Sequence, residues 1–288
     1  MKDKTVAQLI GLFLLVLFST NSFAIPPVGS REYKLLLEPS LFNGPNPELA
    51  VAGFWMDLDQ LIQTSIARTT TGSFLLDKTR TIKFYDTTPT CLLSNNNLVF
   101  REREENSVRE VTLKYRSFDS YVSGYQDMSG TESDAVTKFE EDISAHYSIK
   151  YSHSTTQGIS ATKNLNKLDD PVRLYPGLLS YSFDDTQPIS LVGGLSVLEL
   201  VYKGTSVDLG SENGDFSLTL WYNSINVSAP VVAEISFKYK DAGGYYSQNV
   251  VTRAQKLFQS MQTMNTWLAV NSISKTAFVY NYDPSFCQ

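Results

Sequence analysis

Charge recurs on every second residue in four short stretches of this chain: Glu32-Tyr33-Lys34, Arg101-Glu102-Arg103, Lys114-Tyr115-Arg116 and Lys138-Phe139-Glu140-Glu141-Asp142. In an extended strand successive side chains point to opposite faces. Glu32 then shares a face with Lys34, Arg101 with Arg103, Lys114 with Arg116, and Glu140 with Asp142. Each such strand carries one ionic face. If the strands close on themselves, that face could line a lumen, and a lumen of both signs suits a polyanion together with a divalent cation. On an open sheet the same residues would be surface cross-strand pairs, Glu32 with Lys34 or Arg101 with Glu140, each worth about a few tenths of a kcal/mol.

The elements that must position these residues are mostly strands. Short runs of β-branched and aromatic residues, separated by Gly, Asn, Asp and Ser, predict about eight of them: 31–37, 80–86, 97–104, 108–117, 137–151, 196–204, 215–223 and 231–240. Asn106-Ser107 sits at hairpin distance between two of these, and Ser211-Glu212-Asn213-Gly214 and Asn226 to Pro230 read as further turns. Two helices interrupt the pattern. From Pro47 to Arg68, Leu49, Phe54, Trp55, Leu58, Leu61, Ile62 and Ile66 recur at helical spacing, with Pro47 suited to the first turn. From Gln248 to Val270, Val251, Leu257, Phe258, Met261, Met264 and Leu268 do the same. Such stripes are core-facing positions rather than cofactor boxes. The stretch from about 154 to 195, rich in Asn, Asp, Gly, Pro and Ser, is the least regular and reads as an excursion, a lid or a linker.

The first 24 residues read as a secretory signal peptide: Lys2 and Lys4, an apolar run from Leu9 to Phe18, then Ser22-Phe23-Ala24. The mature chain would begin near Ile25 and be secreted or periplasmic. The apolar run is short of the roughly 20 residues that span a membrane, and no Cys follows Ala24 to accept a lipid, so no stable membrane insertion is expected after cleavage. The remaining 25–288 suffice for one large domain. Without Lys2, Asp3 and Lys4 the net charge of -6 becomes -7, which does not recommend nucleic acid as a partner. Cys91 and Cys287 are the only cysteines; an oxidising compartment would allow them one disulfide, or leave two distant thiols. His146 and His153, with no Cys nearby, do not make a zinc site.

The order of the motifs resembles the CYTH domain of the triphosphate tunnel metalloenzyme superfamily. That family runs from a Glu-x-Glu-x-Lys strand through a Tyr-Asp-Thr segment, Arg-x-Arg and Thr-Leu-Lys to an Arg-x-Glu-x-Glu strand. Here the matching residues are Glu32-x-Lys34, Tyr85-Asp86-Thr87, Arg101-x-Arg103, Thr112-Leu113-Lys114 and Lys138-x-Glu140-x-Asp142. The likeness covers residues 30 to about 142. It continues more weakly through Lys203, Phe216 to Asn223, Glu234 to Lys238, the last helix and Ser274-Lys275-Thr276. It implies an α+β fold, mainly an antiparallel eight-stranded β-barrel forming a tunnel with flanking helices. Lys34, Arg101, Arg103, Lys114, Arg116, Lys138, Lys203 and Lys238 would be phosphate ligands, and Glu32, Glu140, Asp142 and Glu234 would face Mg²⁺ or Mn²⁺. Two carboxylates of the family pattern are missing, replaced by Ser30 and Ser236, while Lys138 and Asp142 are conservative replacements.

The implied partner is a small molecule bearing a triphosphate or polyphosphate. Arg supplies planar forks and Lys compact point charges, so the mixture can grip several phosphoryl groups. Hard oxygen ligands select Mg²⁺ or Mn²⁺, and hydrolysis would draw general-base help from Glu32, Glu140 or Glu234. Loss of two acidic ligands shifts weight from hydrolysis towards a non-catalytic polyanion-binding module. Cyclase activity, also found in the family, ranks below both, because an exported protein lacks the usual intracellular nucleotide supply. A third reading is a secreted barrel for an apolar ligand, with Leu and Phe rather than Arg101 and Lys114 inside. Lys203-Gly204-Thr205 lacks the preceding Gly of a phosphate-cradling loop, and there is no G-x-S-x-G elbow. Asn226-Val227-Ser228 fits a glycosylation acceptor in a eukaryotic source, or an ordinary turn.

Overall fold

The computed structural model describes residues 24–223, 228–270 and 273–288. Nearly all of the signal-type leader, and Asn226 and Val227 of the glycosylation triplet, lie outside the described residues. Alternating sequence becomes alternating burial. On β1 (Ser30–Leu37) Tyr33, Leu35 and Leu37 are buried on one face, while Glu32 and Lys34 occupy the other. Eight further strands follow: β2 (Thr70–Thr87), β3 (Leu98–Glu105), β4 (Val108–Ser117), β5 (Val136–Ser144), β6 (Ser148–Ile159), β7 (Ile189–Asp208), β8 (Asn213–Tyr222) and β9 (Val232–Lys240). They form one closed ring in the order β1-β5-β6-β4-β3-β2-β7-β8-β9. Every pairing is antiparallel except β1 with β5, where Ser30 lies beside Glu140 and Glu32 beside Asp142.

The ring thus has nine strands, not eight. The run 137–151 divides into β5 and β6 at Ala145–Tyr147, where His146 and Tyr147 adopt φ of 59° and 62°. Of the two only His is enriched in the left-handed region, and with no Gly, Asn or Pro to mark the turn the alternation runs on through it. β2 starts ten residues before its expected position and β7 seven before. Residues 160–188, not 154–195, form the excursion between strands, and they contain α4 (Asp169–Leu174) and a 3₁₀ turn at Pro176–Tyr181.

The apolar core lies outside the ring. Alternate residues of β1, β8 and β9 pack on α1 (Pro47–Ile66) and α5 (Gln248–Met261), with Tyr33 and Phe237 stacked at 4.7 Å beneath Phe258. Pro47 opens α1 as expected, whereas the second predicted helix stops at Met261, and Met264, Trp267 and Leu268 pack from the turns that follow. A second cluster covers β3 and β4 with the excursion, and the Tyr175 hydroxyl donates to the Val111 carbonyl at 2.8 Å. Two short helices, α2 (Leu92–Asn95) and α3 (Ser120–Gly124), close connections; Asp86 caps the first of them by accepting from the Leu93 and Ser94 amides. Among the described residues no helix is long and apolar enough to cross a membrane.

The chain ends in α6 (Lys275–Tyr282), tied back by a disulfide between Cys91 and Cys287 across 196 residues. Closing so long a loop removes conformational freedom chiefly from the unfolded chain. Replacing both cysteines by serine should lower unfolding free energy by about 2–4 kcal/mol, read from the urea midpoint at constant slope, with reductant alone producing the same loss.

Candidate functional site

The opposite face of the strands encloses a cavity of about 410 Å³. All twelve side chains singled out in the sequence line it: Glu32 and Lys34 from β1, Arg101 and Arg103 from β3, Lys114 and Arg116 from β4. Lys138, Glu140 and Asp142 come from β5, Lys203 from β7, and Glu234 and Lys238 from β9. They are not equivalent. Lys138 and Lys203 sit exposed at the rim, Lys203 bound to Asp77 at 2.9 Å, while the others lie deeper. The lining also includes Lys78 and Arg80 from β2, Lys150 from β6, Glu199 from β7 and Lys275 from α6. In total twelve basic side chains face five acidic ones, inside a protein that is acidic overall.

One wall is internally neutralised. The Lys238 ammonium lies 2.8 Å from Glu140 and 3.3 Å from Glu32; Lys34 lies 3.0 Å from Glu32 and 2.7 Å from Asp142. Carboxylate and ammonium therefore alternate as Glu140, Lys238, Glu32, Lys34, Asp142. At one end the Ser30 hydroxyl donates to Glu140 at 2.8 Å, and at the other Arg116 approaches Asp142 at 3.6 Å. The parallel β1–β5 pair, with β9 on the other side of β1, brings these residues into line. Burial pushes the Glu32 carboxyl up, but Lys34 and Lys238 together outweigh it and hold it down at about 2. Burial likewise opposes ionisation of Asp142 and Glu140, and their lysine neighbours keep both below the usual carboxylate range.

A second pairing fills the β2–β7 side. Arg80 is ion-paired with Glu199, whose other oxygen accepts from the Trp221 indole at 2.8 Å. Burial raises the Glu199 carboxyl, yet Lys275, Arg80 and Arg103 hold it at about 2. Lys275 reaches in from α6 to Glu234 at 2.9 Å, and Arg116 donates to Thr276 on the same helix at 3.2 Å. Lys78-x-Arg80 shows the same period-two charge as the recognised motifs, but the strand reading began only at residue 80. Glu199 stands alone in an apolar run and gave no comparable signal.

Between these pairs stand three cations without a carboxylate within 4.0 Å among the described residues: Arg101, Arg103 and Lys114. The Nε atoms of Arg101 and Arg103 are sealed from solvent with no hydrogen-bond partner, and Arg101 otherwise reaches only the Thr112 hydroxyl at 3.5 Å. Burial, reinforced by each arginine's cationic neighbours, pushes Arg101 well below its ordinary value and Arg103 down to about 10. Burial also lowers Lys114, to about 7, against the attraction of Asp142. This wall is short of negative charge.

Mg²⁺ or Mn²⁺ does not fit the donors as they stand. Glu32, Glu140 and Asp142 are engaged by Lys34 and Lys238, and Glu234 by Lys275. Ser30 and Ser236 take two places where the resemblance calls for carboxylates, and among the described residues no three acidic, His or Cys side chains converge on one point. The expectation that Glu32, Glu140, Asp142 and Glu234 jointly face a metal is thus replaced by lysine–carboxylate pairs.

No family model and no curated protein sequence matches the chain. Solved structures match it over most of their length at distant identity. One, from Hippeastrum, is described as a proposed adenylyl cyclase with a dominant triphosphatase activity; it is 14% identical, with a TM-score of 0.45 over 88% of this chain and 96% of that one. A candidate adenylate cyclase from Bacillus halodurans is 11% identical, with a TM-score of 0.40 over 87% and 99%. Another from Vibrio parahaemolyticus is 11% identical at 0.31, over 87% and 97%. Likeness at this level does not bear on chemistry; the charge layout of the lumen does.

The depressed Lys114 has a measurable consequence. Between about pH 7 and its ordinary 10.5, the unfolded chain holds a proton that the folded chain has released, so this group makes stability rise with pH across that window. Below pH 7 the ammonium is charged in both states and its contribution levels off. Urea unfolding from pH 6 to 10 should show a shallower rise for Lys114→Met than for the wild type; parallel profiles would contradict the assignment.

Proposed function

We propose that the lumen binds a linear phosphate chain, a triphosphate or polyphosphate, as an ionised ligand. The supporting observation is the trio Arg101, Arg103 and Lys114, basic groups set inside a closed sheet with no carboxylate within 4.0 Å among the described residues. A cation taken out of water costs several kcal/mol unless an anion replaces the lost hydration, and a small neutral or apolar ligand would leave that cost in place. A single carboxylate could satisfy one of the three. A phosphate chain offers charge at successive positions, which suits two guanidinium forks on β3 and an ammonium on the adjacent β4.

Binding is favoured over hydrolysis. Glu32, Glu140 and Glu234, the candidates for general-base work, are each engaged by lysine, and for Glu32 and Glu140 the same contacts lower the carboxyl and so weaken it as a proton acceptor. Of the other basic residues, Lys34 and Lys238 are neutralised by Glu32, Glu140 and Asp142, and Lys203 by Asp77, so Arg116 and the rim residue Lys138 would supply the supporting positive field that draws the anion inwards. We also infer export to an oxidising compartment, which the leader at 1–24 suggests and the Cys91–Cys287 bond supports.

Calorimetric titration of the purified protein with sodium tripolyphosphate tests this reading. Wild-type protein should bind in a salt-dependent manner. Arg101→Met and Arg103→Met should each weaken binding about 10- to 100-fold, the worth of a charge-assisted contact. No detectable binding at low salt, or affinity untouched by both substitutions, would refute it.

A further inference from the structure

We propose that the side-chain ammonium groups of Lys34 and Lys238 occupy, as permanent parts of the protein, the positions between Glu32, Glu140 and Asp142 that a divalent cation would otherwise take, so the lumen receives its phosphate chain without metal. Only the identity of the ligand rests on the phosphate-binding reading; the exclusion of metal from the resting site stands on the ladder itself.

The geometry is specific. Each lysine nitrogen lies within hydrogen-bond reach of two carboxylates, at 2.8 and 3.3 Å for Lys238 and at 3.0 and 2.7 Å for Lys34, and Glu32 Oε2 is shared by both. These separations belong to N–H···O contacts and exceed the roughly 2.0–2.1 Å of a Mg²⁺–oxygen bond. A metal ion would have to displace an ammonium that is already tethered to the neighbouring strand, and would itself have to shed tightly held water. It would do so beside Lys114 and Arg116, two more cations whose repulsion in a low-dielectric enclosure opposes a further double charge. Ser30, in place of a carboxylate, reinforces the ladder by donating to Glu140, the same oxygen that Lys238 holds. An ammonium neutralises part of the acidic wall as a metal would, but it comes with the chain and cannot be chelated away.

The test uses Mn²⁺ alone, read as loss of the free-ion electron paramagnetic resonance signal, on the full-length mature protein. Wild type should take up no Mn²⁺ at submillimolar concentration. Lys238→Met, which keeps the aliphatic stem and removes the charge, should gain about one site, abolished again by adding Glu32→Gln; Lys34→Met serves as an independent second variant. Should either Met variant lose its cooperative thermal transition, Lys→Gln at that position is measured instead. Stoichiometric Mn²⁺ uptake by the wild type that Glu140→Gln removes would overturn the proposal, as would continued silence of the folded variants at both positions. A second arm compares tripolyphosphate affinity in EDTA and in Mg²⁺, corrected for the Mg²⁺–tripolyphosphate complex. Values within threefold are expected, and a tenfold gain with Mg²⁺ would overturn the proposal. If tripolyphosphate fails to bind under either condition, the phosphate-binding reading falls while the Mn²⁺ titration still decides the ladder.

Discussion

Like charges held inside a closed sheet are the constraint on which this structure turns. Arg101, Arg103 and Lys114 lie on adjacent strands, and burial together with repulsion from neighbouring cations, Arg103 on Arg101, Arg80 on Arg103, and Arg116 and Lys34 on Lys114, disfavours their charged forms. On one wall the protein meets the same difficulty by alternation, with carboxylate and ammonium in a continuous row from Glu140 to Asp142. On the other wall the complement is left out. That asymmetry separates a binding site from a merely polar interior, because a fully matched set of charges would have little to gain from a ligand.

Such an interior is tolerable only because the strands are braced from outside. Apolar faces of β1, β8 and β9 pack on α1 and α5, those of β3 and β4 on the excursion, and a third cluster joins β2 and β7 to the end of the chain around Val279 and Phe286. The charged side chains of β1, β3, β4 and β9 thus project from strands whose other faces pack into these apolar clusters. The same bracing makes α6 part of the site: its packing and the Cys91–Cys287 bond hold Lys275 against Glu234 and Thr276 against Arg116. Stability and site geometry are coupled through that helix.

Much of this was legible residue by residue. The run 108–117 coincides with β4, and β1 and β3 fall within a residue of their expected bounds, because period-two alternation between a dry and an ionic face is a strong local signal. All twelve chosen side chains reach one cavity for the same reason. The misses have physical causes. A turn built on His146 and Tyr147 at positive φ carries no conventional turn residue, so one predicted strand concealed two. The outer part of β2 exposes both faces, which blurred its alternation and hid Lys78 and Arg80.

The sequence by itself determined which side chains share a face of each strand, since successive residues of an extended chain must point opposite ways, and so it determined that one face of several strands is ionic. Tertiary structure alone decided which charges meet. Glu140 and Lys238 are 98 residues apart and become partners only because β1 lies between β5 and β9. Alternation is a local steric rule written into every strand, whereas pairing order depends on how the whole ring closes. That closure joined lysine to carboxylate where a metal was expected and left the buried Arg101, Arg103 and Lys114 with no carboxylate within 4.0 Å among the described residues.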